Sequence, residues 1–112
     1  MKFDIRTQGF ELTDALSEHV HRRMIFALHR FHHRLGQRAT VHLSDENGPK
    51  GGVDMRCVIH VPMPGRKEVV IREDGDDLYV AIDRAADRMG RTVARRLERS
   101  QEPAPLRQEA EV

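Results

Sequence analysis

The stretch DDLYVAIDRAADRMGRTVARRLER, residues 76–99, sorts its side chains by a helical period. At about 100° per residue, Leu78, Ile82, Ala85, Ala86, Met89, Val93 and Leu97 fall on one face, and Arg84, Arg88, Arg91, Arg95 and Arg99 fall nearly opposite. The expectation is one long helix with a buried stripe and an arginine ridge on its back. Like charges at i,i+4 spacing repel one another, so the ridge costs folding stability and points to a polyanionic partner. The plain alternative is a solvated charged face.

A buried stripe needs a surface to pack on, and the preceding residues supply one. Residues 2–7 alternate Phe3 and Ile5 with Asp4 and Arg6, the period-two pattern of a strand buried on one face. Thr13 is a fitting N-cap and Asp14 a first-turn carboxylate for a helix expected over 14–33. Its apolar face is Leu16, Val20, Met24, Ala27, Leu28 and Phe31; Arg22, His29 and His33 lie opposite, flanked by His19, Phe26 and Arg30. Gly36 reads as the stop. Residues 38–43 form a second strand with Ala39, Val41 and Leu43 inward, and 44–52 have the composition of a long hairpin loop. Met55, Cys57, Ile59 and Val61 mark the inward face of a third strand, and 67–72 form a fourth after the Pro62, Pro64, Gly65 turn. Residues 74–77, DGDD, supply a turn and the cap of the last helix.

The order is therefore β-α-β-β-β-α, an α+β fold. The first helix is long enough for a crossover, so strands one and two are expected to be parallel and the later pairs antiparallel. One apolar face per strand implies a four-stranded mixed sheet with both helices packed on one side. The other side is left open and polar, carrying Arg6, Arg38, Thr40, His42, Arg56 and His60.

Bulk properties bound the function. A chain of 112 residues suits one domain over 1–100, followed by an acidic tail at 101–112 without periodicity, expected to be disordered. The residues after Ser100 carry −2, so a formal net charge of +1 leaves the body at +3, and nucleic-acid binding would have to rest on local clustering. No apolar run reaches the roughly 20 residues that span a bilayer, and the first residues lack the apolar core of a signal peptide. The expected setting is cytoplasmic, without a membrane partner. A single cysteine, Cys57, excludes an intrachain disulfide.

Catalytic and metal chemistry finds little support. His29 and His33 have a spacing that can hold zinc, but the residues between them include no glutamate base and a third ligand would have to come from His19 or His32. Surface imidazoles are the preferred reading, with no metal and no cofactor expected. Cys57 lies in an inward alternation, and Asp45, Glu46 and Asp54 do not match an EF-hand. There is no nucleophile elbow, phosphate loop or dinucleotide fingerprint, so neither an enzyme nor a small-molecule substrate is expected. What remains is a basic surface: Arg84 to Arg99 on the last helix, with Arg22, Arg23, Arg30 and Arg34 alongside if the helices are neighbours. Guanidinium forks grip phosphate oxygens in pairs, which suits RNA read by shape. Phe26 could stack on a base. A general RNA-binding domain, and a protein-interaction module using the open sheet face, are the alternatives.

The element order, together with the Asp77-Leu78-Tyr79-Val80-Ala81-Ile82-Asp83 run and the basic residues that follow it, resembles the ribosome hibernation-promoting factor family. These proteins are also called ribosome-associated inhibitors or ribosomal subunit interface proteins. The likeness runs from about Lys2 to Arg99 and is to the short form; long members carry a second, dimer-forming domain. It implies a translation factor, monomeric off the ribosome, that docks on the small subunit and its 16S-type RNA, overlaps the messenger and transfer RNA sites, and stabilises idle ribosomes. The family's basic positions map onto Arg23, Arg88, Arg91 and Arg95; Arg22, Arg30, Arg84 and Arg99 join them on helical geometry. Phe26 departs from a position that is commonly basic, and the 44–52 loop is longer and more acidic than in familiar short members.

Overall fold

Two polar side chains start the helices. Thr13 accepts a hydrogen bond from the Leu16 amide at 3.1 Å, and the Asp77 carboxylate accepts from the amides of Tyr79 at 2.9 Å and Val80 at 3.4 Å. Both satisfy first-turn donors that have no partner within the helix. The computed structural model describes residues 1–46 and 54–101. In order, these form β1 (Lys2–Gln8), α1 (Asp14–Leu28), a 3-10 segment (His29–Arg34), β2 (Arg38–Asp45), β3 (Met55–Val61), β4 (Val69–Gly75) and α2 (Leu78–Gln101).

The four strands lie in the order β1-β2-β3-β4, with β1 parallel to β2 and the other pairs antiparallel. This is the expected α+β arrangement, α1 carrying the crossover that a parallel pair requires. The register aligns Ile5, Val41, Ile59 and Ile71 in one row across the sheet. α2 packs on β3 and β4 and runs beside α1. Ile82, Ala85, Ala86, Met89, Val93 and Leu97 are buried as the helical period predicts, and Leu78 packs at the margin. Leu16, Val20, Met24 and Leu28 enter the same core from α1. Each fully buried large side chain, such as Met89 or Ile82, contributes on the order of 1.5–3 kcal/mol.

Several expected boundaries move. The first helix does not run as α-helix to residue 33: it ends at Leu28 and tightens into the 3-10 segment, which buries no residue. Side chains three apart eclipse in that winding, and His29 stacks on His32 with ring centroids 5.8 Å apart. Gly36 is not a left-handed stop. It passes so close to the end of β3 that a Cβ there would lie 2.8 Å from the Cβ of Pro62, and its amide donates to the Pro62 carbonyl at 2.9 Å.

Ser44 and Asp45, expected in a loop, continue β2 opposite Arg56 and Met55. The Ser44 hydroxyl donates to the Glu46 carboxylate at 2.6 Å, so its burial leaves no unmet polar group. The rest of that loop, 47–53, lies outside the described residues, as does the expected tail beyond Gln101. β4 starts later than expected and extends through Glu73 and Asp74, whose charges are met by arginines. No helix among the described residues is long and apolar enough to cross a membrane.

Candidate nucleic-acid interface

The two helices meet through small residues. A Cβ placed on Gly90 would stand 3.1 Å from the carbonyl oxygen of Ala27 and 3.3 Å from its Cβ, so no larger side chain fits without parting the helices. Ala27, Ala86, Gly90 and Ala94 line a solvent-open trough of about 570 Å³. Arg23 and Arg30 border it from the first helical stretch, and Arg91 and Arg95 from α2. Phe26 and Asp87 also line it.

Asp83 ties the helices together beside this trough. Nε2 of His19 lies 2.6 Å from its Oδ1, and the Tyr79 ring meets the His19 ring edge-on at 4.9 Å. Nε of Arg23 lies 3.2 Å from the same oxygen, buried but without the alignment of a hydrogen bond. The carboxylate thus holds the inner end of the Arg23 guanidinium by charge. Asp87, one turn further along α2, pairs with Arg91. Arg22, Arg84, Arg95 and Arg99 are exposed and make no ion pair among the described residues.

The open sheet face is electrostatically different. Arg6 pairs with Asp4 at 3.0 Å, and Arg56 reaches Glu46 at 3.3 Å and Asp74 at 3.0 Å. Arg72 reaches Asp74 at 2.8 Å, and His60 faces Glu68 at 3.3 Å. Hydrogen bonds from Arg72 and then Arg56 hold the Asp74 carboxyl down at about 2. The bond to Asp74 in turn raises the Arg72 guanidinium.

Burial, and then the nearby Glu73 charge, push the Cys57 thiol up to about 12, far from the range of a nucleophile. His29 and His33 do not face each other across a helical turn, because His32 stands between them in ring contact with both. Among the described residues no group of three or more His, Cys, Asp or Glu is arranged to hold a metal ion.

The chain matches the sequence profile of the Sigma 54 modulation protein / S30EA ribosomal protein family over residues 3–101. It belongs to that family. Among solved structures, the N-terminal domain of Protein Y from Thermus thermophilus is 33% identical, with a TM-score of 0.69 over 85% of this chain and 98% of that one. A ribosomal subunit interface protein from Coxiella burnetii, 15% identical, shares the fold at a TM-score of 0.72 over 88% of this chain and 99% of that one. No curated protein sequence matches this chain. The resemblance read from the Asp77 to Asp83 run is borne out at the level of the family.

Within this S30EA-family fold the arginine ridge of α2 is split. Arg91 and Arg95 border the trough beside Arg23 and Arg30. Arg88 instead turns to β4, where it pairs with Glu73 and donates to the Arg72 carbonyl at 3.0 Å. Glu73 shares a cross-strand position with the buried Cys57, and a carboxylate on that inner face needs a cation. Arg96 likewise donates to the Lys67 carbonyl at 3.0 Å. Asp83 was no part of the expected site, since its partner His19 is 64 positions away and no local spacing announces the pair. Asp87 was legible, because Arg91 follows it by one helical turn.

Proposed function

We propose that this chain is a non-enzymatic translation factor that binds the small ribosomal subunit through the α1–α2 face. Residues 1–100 act as one binding domain in the cytoplasm, occupying the messenger and transfer RNA sites and stabilising idle ribosomes. The observation that carries this reading is the trough bordered by Arg23, Arg30, Arg91 and Arg95, on a molecule whose sheet face pairs Arg6, Arg56 and Arg72 with its own carboxylates. Four guanidinium groups flanking one open channel match the phosphates of folded RNA better than any small anion. The family's description as ribosomal proteins, and a structural neighbour's name as a subunit interface protein, support 16S-type ribosomal RNA as the polyanion. Arg22, Arg84 and Arg99 extend the basic surface, and Arg88 joins it only by leaving Glu73.

Co-sedimentation with small subunits on sucrose gradients tests the proposal. The protein is expected in the subunit peak at low salt and to leave it as salt rises, because phosphate contacts release counterions. Arg91→Glu combined with Arg95→Glu should empty that peak while the circular dichroism spectrum stays unchanged; wild-type retention by this variant overturns the reading. Equal affinity for unrelated structured RNAs would favour a general RNA-binding domain. A nuclease-resistant protein complex would favour an interaction module using the sheet.

A further inference from the structure

We infer that Phe26 is a stacking platform for an unpaired RNA base, so that the helical face takes a single-stranded or bulged nucleotide and not only a duplex backbone. Phe26 is 82% exposed, the most exposed large apolar side chain among the described residues. The α1 core positions are already filled by Leu16, Val20, Met24 and Leu28, so Phe26 has no packing role to leave vacant. Arg23 stands three residues before it and Arg30 four after, the two spacings that share a helix face. All three line the same trough, with Arg91 and Arg95 on its other side.

Two occupants would cover an exposed ring of this kind, a second copy of the chain or a nucleobase. A symmetric dimer through Phe26 would bring the same patch of both copies together. It would therefore set Arg23, Arg30, Arg91 and Arg95 against their own duplicates, with Asp83 and Asp87 already engaged by Arg23 and Arg91. A nucleotide has the complementary make-up, a flat ring for Phe26 and an anionic backbone for the guanidinium groups on either side. Every base has a π-face, so the contact selects unpaired nucleotides without selecting their sequence. This inference rests on RNA being the partner of the trough and adds what form that RNA takes.

The chain contains no tryptophan, so Phe26→Trp places a lone indole reporter on the platform. Titration with a short single-stranded RNA of mixed sequence is expected to quench that fluorescence, whereas a blunt RNA duplex at equal phosphate concentration should leave it nearly unchanged. Phe26→Ala should weaken single-strand binding about 5- to 100-fold, the range for losing a stacked aromatic, with the same salt slope as wild type because no phosphate contact is removed. Phe26→Trp should restore the affinity. Equal single-strand affinity for wild type and Phe26→Ala, or equal quenching by duplex and single strand, overturns the inference. So does wild-type self-association in sedimentation velocity that Phe26→Ala abolishes, since the ring would then be a contact between copies. Gradient binding to small subunits, measured in parallel, separates the two readings. Wild-type protein that stacks on single strands yet ignores subunits refutes the ribosomal target alone, and Phe26→Ala that binds subunits and single strands as wild type refutes stacking alone.

Discussion

At Asp83 one carboxylate serves two helices, taking His19 at 2.6 Å and the Arg23 guanidinium at 3.2 Å. The group is partly exposed, so its loss costs less than breaking a buried pair. Asp83→Ala is expected to lower stability by about 1 kcal/mol in urea unfolding, and Asp83→Asn, which keeps an acceptor oxygen, by less. Asp74 works on the other face. Its carboxyl ordinarily titrates near 3.8 and is held at about 2, by Arg72 first and Arg56 second. With the folded value lowered, the unfolded chain binds the proton more tightly. The contribution to stability is then complete above about pH 4 and is lost as pH falls toward 2. Asp74→Asn should flatten the fall of the urea midpoint across that window relative to wild type, and added salt should shrink the difference because the site is on the surface.

The helices show how one element divides its polar side between tasks. α2 sends Arg88 to β4, Arg96 to the Lys67 carbonyl just before that strand, and Arg91 and Arg95 toward α1. Gly90 sets how near the helices come. Glycine within a helix costs roughly 0.5–1 kcal/mol against alanine, so Gly90→Ala would stabilise an isolated helix. Here the added Cβ presses on the Ala27 backbone, and the gain in propensity is offset. Gly90→Leu has no such compensation and is expected to cost about 2–3 kcal/mol, read as a lower midpoint in thermal unfolding. Because the same crossing spaces the two arginine walls, subunit binding by Gly90→Leu should also fall at temperatures where it remains folded.

Across the whole molecule, charge is segregated by layer. The sheet's outer face pairs Arg6, Arg56 and Arg72 with carboxylates, whereas the helical layer leaves Arg22, Arg84 and Arg95 without ion pairs among the described residues. A net charge of +1 conceals this division. If the trough is the RNA surface, single charge-reversals will differ by position. Arg91→Glu and Arg95→Glu should each weaken RNA binding and reduce the slope of log affinity against log salt by about 0.7–0.9 or more, with little change in stability. Arg88→Glu should instead set two carboxylates together at Glu73, lowering the unfolding midpoint more than it lowers affinity. Equal behaviour of the three variants in both measurements would refute this division of the ridge.

The sequence by itself determined the element order, the sheet with one covered face, the seven-residue stripe of α2 and the family. The first three rest on local periodicity, which short-range geometry alone imposes; the family rests on the likeness carried by the Asp77 to Asp83 run and the element order. It could not place the ends of β2 and β4, because Ser44, Glu73 and Asp74 look like loop residues until the strand pairing is formed, where neighbouring Glu46 meets the Ser44 hydroxyl and the distant Arg88 and Arg56 meet Glu73 and Asp74. Nor could it sort the arginine ridge. On a helical wheel Arg88, Arg91 and Arg95 are near neighbours, and only the packed structure decides that a half-buried carboxylate on β4 claims the first while a close Ala27–Gly90 crossing opens a trough beside the other two. Helical period is a property of the chain, whereas the partner of a charge depends on which element lies beside it.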